Sequence, residues 1–320
     1  MRKLVRLLGA AMLVTGLFAA WQGAAAAQSP SQRDVYIVRL EGMVNPVTAR
    51  HVLRHLGRAE ERGAEAFILT LDTPGGLDTA MRDIVKGFLN AKVPTVVFVS
   101  PRGARAASAG AFITAAAHVA AMAPGTNIGA ATPVSLGAEL PETLERKATN
   151  DAAAYIREIA LVRGRNPDWL EDTVRKAASG PATEALERNV VDLIADDLPQ
   201  LLQALDGRTV SVDGVNRALR AQGVALISRE MGFFGRLLNF IADPTIATLL
   251  ISLGSLALVI ELYNPGIMVG VVGGIALALG LVGVGNLPVN WVGVALILAG
   301  AVLLALELVV TGFGALGIAS

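Results

Sequence analysis

The chain is predicted to be an α/β protein, a spiral of βα units around a mostly parallel sheet, followed by a transmembrane helical region. Three observations predict this. Short apolar runs alternate with helical stretches from residue 34 onward. After Arg236 the only charged residues are Asp243, Glu261 and Glu307, and no Lys or Arg follows. The first residues run in the order basic, apolar, small.

That leading stretch, MRKLVRLLGAAMLVTGLFAAWQGAAAAQS, carries Arg2, Lys3 and Arg6, then an apolar run, then Ala24 to Ala27 before Gln28. The order is that of a secretory signal peptide, residues 1–27, with cleavage after Ala27. An uncleaved N-terminal anchor is the alternative. Either way residues 28–236 are exported, on the periplasmic or extracellular side of the cell (inner) membrane. The chain has no cysteine, which excludes disulfides and thiolate metal sites. Its formal net charge of zero removes the electrostatic case for nucleic acid as a partner.

Within this domain, residues 34–44 read as a strand, 45–63 as a helix, 64–72 as a buried strand, 77–90 as a helix and 93–99 as another strand. Further on, 117–124 reads as a short strand, and 141–164 and 166–178 as helices. Strands that alternate with helices make parallel crossovers, and their chemistry gathers in loops at the carboxyl ends of the strands. Two such loops stand out. TPGG, residues 73–76, combines a proline with two unencumbered glycine N–H groups, which could cradle an oxyanion or simply turn the chain. SPRGARAASAG, residues 100–110, places Ser108 among small residues on the opening turn of a helix, as a cap or as an exposed nucleophile. Neighbouring parallel strands would set Gly75 and Gly76 beside it.

A nucleophilic serine needs a base. His51 and His55 lie four apart on a helix next to arginines, the pattern of a solvated face. His118 begins a strand ten residues beyond Ser108, a poor place from which to reach back. Arginine stays protonated, so the remaining candidates are Lys3, Lys86, Lys92, Lys147 and Lys176. Lys3 belongs to the signal, Lys86 and Lys92 flank a helix end, and Lys176 suits the last turn of a helix as any cation would. Lys147 opens the long helix amid small residues, where an apolar cleft could draw in its ammonium; spacing leaves this role and a surface salt bridge both open. No cofactor or metal site is expected.

The other end holds three apolar segments, roughly 245–262, 265–287 and 291–310, each near the ~20 residues a bilayer helix needs. With the domain outside, three spans leave Ser320 in the cytoplasm. ELYNPGIMVG from Glu261 and ELVVTGFGAL from Glu307 share Glu-Leu and a glycine five residues after the Glu, as though a hairpin unit began again. On that reading the chain is a fragment or a shortened form. Glu261 and Glu307 lie at the ends of apolar runs, at headgroup level, and receive no functional role.

LDTPGG, GARAASAG, APGTNIGAATPV (123–134) and KATNDAAAYIREIALVRGRN (147–166), followed by the membrane spans, resemble the NfeD family of membrane-bound Clp-class serine proteases, related to the Clp protease and to signal peptide peptidase A. The resemblance covers nearly all of the chain after the signal. It implies a Clp/crotonase-like α/β spiral and a Ser–Lys dyad, with Ser108 as nucleophile and Lys147 as base. The implied oxyanion hole comes from the Gly75–Gly76 pair, through Gly76 N–H, together with Ala109 N–H. By the same resemblance the activity is endopeptidase cleavage of apolar segments in membrane-associated proteins, with a stomatin-like protein as partner, homo-oligomerisation, and the lipid bilayer as surroundings. A catalytically silent scaffold that organises membrane microdomains is the alternative. An acyl-CoA enzyme on the same core is disfavoured, because export removes its cofactor. Two departures stand out: Phe112 follows SAGA where relatives often carry Thr-Tyr, and the C-terminal OB-type domain of long family members is absent from these residues.

Overall fold

The computed structural model describes residues 34–134, 141–263, 268–283 and 285. The expected signal peptide, 1–27, and the third apolar segment, 291–310, lie outside the described residues. Where the sequence alternates apolar runs and helices, the structure alternates β1 (Val35–Glu41), α1 (Pro46–Glu61), β2 (Ala66–Asp72), α2 (Asp78–Leu89) and β3 (Thr95–Val99). Then follow β4 (Arg105–Ala107), α3 (Ala109–Ala116), β5 (Val119–Met122), β6 (Asn127–Gly129), α4 (Glu142–Val162) and α5 (Pro167–Arg175). The domain closes with β7 (Ser179–Pro181), α6 (Ala182–Glu187), β8 (Leu193–Ile194), α7 (Leu198–Leu205), β9 (Thr209–Val212), β10 (Val215–Ala218) and β11 (Leu226–Arg229).

Six strands form one parallel sheet in the order β11-β1-β2-β3-β5-β8. Because side chains alternate across a strand, each strand serves two cores. Tyr36, Val38, Leu69, Leu71, Val97 and Val99 pack under α1 to α4, while Val35, Ile37, Ile68, Val96 and Phe98 pack under α7 and the β9–β10 hairpin. A second, three-stranded sheet, β4-β6-β7, stands at the carboxyl edge of the first. Its strands are three residues each, too short for a period-2 pattern to register in sequence.

Local chemistry sets the helix starts. Asn45 caps α1 through its side-chain oxygen, which accepts from Val47 N–H (2.9 Å) and Thr48 N–H (3.0 Å), and Thr48 Oγ1 accepts in return from Asn45 N–H (2.9 Å). Asn166 and Asp197 cap α5 and α7 in the same way.

Beyond the sheet lie α8 (Phe233–Ile241), α9 (Pro244–Tyr263) and α10 (Met268–Gly283). The apolar segment at 245–262 lies on α9, the one described helix long and apolar enough to cross a membrane; α10 is shorter, with 16 residues. The two pack as a hairpin along a seam of small residues. A Cβ on Gly254 would meet Gly273 O at 2.7 Å, and one on Gly280 would meet Ala247 O at 2.8 Å. Close backbone approach of this kind is how helices associate without large side chains. Glu261 Oε2 accepts from Gly270 N–H (3.0 Å), which satisfies a donor in the first turn of α10.

His51 and His55 do not lie on a solvated face: they are 9% and 6% exposed, with rings 4.7 Å apart. The strand β11 and helix α8, formed by residues for which the sequence reading drew no element, cover that side of α1. Burial lowers both imidazoles, His55 to about 4, with the neighbouring His51 and arginines adding to the effect.

Candidate active site

Ser108 sits where β4 gives way to α3. Its backbone has φ 51° and ψ −114°, a region that non-glycine residues seldom occupy. It stands at the N-cap position of α3 and yet makes no capping hydrogen bond. The helix-cap reading of this serine therefore falls away, and the strained turn instead leaves its hydroxyl uncommitted among the described residues. A non-glycine residue held at positive φ persists only where its surroundings over-determine it. Here Ser108 N–H donates to Gly129 O (2.9 Å), and Ala107 N–H donates to Thr73 O (3.1 Å).

The TPGG loop lies directly against the serine. A Cβ on Gly75 would come within 2.7 Å of Ser108 Cβ and 3.1 Å of Oγ, and Gly75 itself has φ 130°. Thr73 holds this loop: Gly75 N–H donates to Thr73 Oγ1 (3.0 Å), and the hydroxyl donates to Gly75 O (3.0 Å). Gly76 forms a parallel bridge with Val44, in which Val44 N–H donates to Gly75 O (2.8 Å) and Leu77 N–H to Val44 O (2.8 Å). That pattern uses the neighbours of Gly76 and leaves its own N–H out of the bridge. Ala109, the first residue of α3, presents a second N–H of the kind that a helix start leaves without an internal acceptor. The structure thus brings together Ser108, Gly75, Gly76 and Ala109.

Lys147 lies in the second turn of α4. It is exposed, on a helix whose first buried residue is Ala152, and no apolar cleft of the described residues encloses it. Helix α4 runs beside α3. Phe112 stacks on Tyr155 with ring centroids 6.0 Å apart, and Arg163 Nε donates to Ala116 O (2.8 Å), so α3 and α4 run in the same direction. Asp151, one turn before Tyr155, pairs with Arg82. Lys147 lies one turn earlier on the same stripe, about 6 Å along the axis.

His118 is placed elsewhere. Its Nδ1 lies 2.8 Å from Thr95 Oγ1 and 3.2 Å from Thr95 N, at the amino ends of β3 and β5, the edge opposite Ser108. Burial, with Arg163 and Arg165 nearby, lowers it to about 3. Phe112, the departure from the family pattern, is 3% exposed and stacks on Tyr155.

Sequence reasoning missed a clamp on α3. Arg165 Nε and Nη2 donate to the carbonyls of Ala115 (3.1 Å) and Ala117 (3.0 Å), while Nη1 pairs with Asp192 (2.7 Å). Arg163 adds bonds to Ala116 O and Phe88 O (2.9 Å). These cations hold the carboxyl end of the helix whose amino end carries Ser108. The only signal was a pair of arginines just past a helix end, in RGRN, which ordinarily reads as surface.

A serine on a strained strand-to-helix turn faces a glycine loop in an α/β domain that leads into an apolar helical hairpin. The chain belongs to the NfeD family: residues 34–213 match the family described as NfeD1b, N-terminal domain, and residues 245–320 match the NfeD integral membrane domain. It is 35% identical over 285 residues, 88% of this chain, to membrane-bound protease PH1510 of Pyrococcus horikoshii. To membrane protein NfeD1b of Bacillus subtilis it is 26% identical, over 90% of this chain. The chain spans 65% of the length of each of these two relatives. Among solved structures, it is similar to 1510-N, a membrane-bound stomatin-specific protease, as a lysine-to-alanine variant in complex with a substrate peptide; the TM-score is 0.62 at 34% identity, covering 67% of this chain and 99% of that one. A serine-to-alanine variant of 1510-N gives a TM-score of 0.57 at 35% identity, covering 63% and 99%.

Proposed function

We propose that this protein is a membrane-anchored serine endopeptidase that uses a Ser108–Lys147 dyad, and the uncommitted Ser108 hydroxyl facing the glycine loop is the observation that carries the reading. Ser108 Oγ attacks a peptide carbonyl, and the neutral amine of Lys147 takes the hydroxyl proton. The N–H groups of Gly76 and Ala109 hold the negative oxygen of the tetrahedral intermediate. Collapse breaks the C–N bond, Lys147 returns the proton to the leaving amine, and water then hydrolyses the acyl-enzyme. Because Lys147 is exposed in the single chain, the bound peptide or a second copy of the chain supplies the desolvation that favours a neutral amine. The substrates are apolar segments of membrane-associated proteins, a stomatin-like protein among them, as the substrate-bound relative supports. The catalytic domain lies outside the cytoplasm, the membrane part is multi-pass, and the protein works as a homo-oligomer.

Incubation of the full chain with a fluorophosphonate should label Ser108, identified by peptide mass mapping. Lys147→Arg keeps the charge and most of the reach but stays protonated, so hydrolysis of apolar peptides should fall roughly 10²–10⁴-fold. Hydrolysis with Ser108 unlabelled would move the chemistry to another residue. Neither hydrolysis nor labelling would leave the scaffold reading.

A Cβ on Gly76 would come within 2.6 Å of both the carbonyl carbon and Cα of Val44, so Gly76→Ala must push the glycine loop off its bridge. Turnover should drop on the order of 10²–10³-fold, the effect of losing one oxyanion donor. Gly57→Ala is the control, since open space surrounds Gly57 on α1. Its steady-state hydrolysis should match the unmodified protein.

A further inference from the structure

We propose that the cleft between α1, α8 and the end of α10 binds an anionic phospholipid, its phosphate held by Arg50 and Arg54 and its acyl chains against Phe234, Leu238 and Val282. The cleft has a volume of about 530 Å³, and all five residues line it together with His51. Its two sides differ in chemistry. Arg50 and Arg54 stand one turn apart on α1, exposed, with no ion pair to either among the described residues. Opposite them, α8 contributes aromatic and aliphatic side chains, of which Phe233 and Phe234 are exposed.

Position favours a lipid over a soluble anion. α9 begins at Pro244, three residues after the end of α8, and the integral membrane domain begins at 245. Gly283, the last residue of α10, packs against the Ile241 carbonyl and Ala247, so the mouth of the helical hairpin sits at the floor of this cleft. The apolar side therefore meets the hydrocarbon boundary while the guanidinium groups stand at headgroup level, where such side chains bind phosphate diesters. His51 adds a second mark of a ligand. It is 9% exposed, and its Nε2 has no hydrogen-bond partner among the described residues. Burial lowers its imidazole, and the side chain forms part of the cleft wall beside Arg50 and Arg54.

The test uses the full chain in nanodiscs of mixed phosphatidylglycerol and phosphatidylcholine, with retained lipid counted by native mass spectrometry. Phosphatidylglycerol should be retained in preference to phosphatidylcholine, and Arg50→Gln with Arg54→Gln should cut that preference roughly 30-fold, from about a tenfold factor per 1.4 kcal/mol and about 1 kcal/mol per arginine at the surface. Arg58→Gln, one turn further along α1 and outside the cleft, should leave it unchanged. Equal retention of the two lipids, or a preference unmoved by the paired substitution, would overturn the site. Displacement of the lipid by millimolar glycerol phosphate would assign the cleft to a soluble phosphate and overturn the lipid as its source. The measurement is independent of peptide hydrolysis, so it stands or falls apart from the protease reading.

Discussion

Ser108→Ala is expected to lower peptide hydrolysis on the order of 10⁶-fold, the scale seen when a nucleophilic serine is removed from a working hydrolytic site. Stability should barely move. The serine hydroxyl makes no hydrogen bond among the described residues and does not cap α3, so its removal orphans no partner. Alanine meets the same backbone conflict at φ 51° as serine does, and the strain of the turn is retained. Unfolding free energy should therefore change by no more than about 0.5 kcal/mol. Purified variant that keeps turnover within tenfold of the parent would remove Ser108 from the chemistry. Lost activity together with a collapsed thermal transition would mean that the hydroxyl is structural.

The second large effect concerns stability. The Arg165 side chain is 2% exposed, yet it carries a full charge, balanced by Asp192 at 2.7 Å and by two helix-end carbonyls. Arg165→Met fills similar space but leaves those carbonyls without a donor. Asp192 keeps its bond from Ala120 N–H (2.7 Å) and the longer pair with Arg208 (3.2 Å). Breaking one side of a buried pair costs roughly 3–5 kcal/mol. For a domain of this size that lowers the thermal midpoint by roughly 6–20 °C, read by circular dichroism of the full chain in detergent. Arg165→Lys should fall between, since lysine keeps the charge but cannot fork between acceptors. A midpoint shift under about 2 °C for Arg165→Met would show that the clamp is dispensable.

The parallel sheet was legible because its strands are buried on both faces and read as continuous apolar runs, as in AFILTL and TVVFV. The TPGG loop and Ser108 were legible because proline, glycine and small residues mark sharp turns at strand ends. Other features depend on contacts distant in sequence. The burial of His51 and His55 is decided by β11 and α8, about 170 to 190 residues later in the chain, where local pattern carries no trace of the packing. The Arg165 clamp depends on which carbonyls α3 happens to present. Spacing left the base role of Lys147 and a surface salt bridge both open, and only the family resemblance implied the role; its exposure is a question of tertiary contact alone.

The hydrogen bond from Asn45 Nδ2 to Asn239 Oδ1 (2.8 Å) bears on where the molecule can be divided. The oxygen of the same amide caps α1, so one side chain serves both the sheet domain and the helix that leads to the membrane. Next to it, Val44 is bridged to the glycine loop. A boundary drawn ahead of Phe233 would take away the partner of Asn45 Nδ2 and uncover the side of α1 that carries His51. The seam between the soluble and membrane parts is therefore not a tether of loose chain. It is a packed joint in which α8 lies against α1.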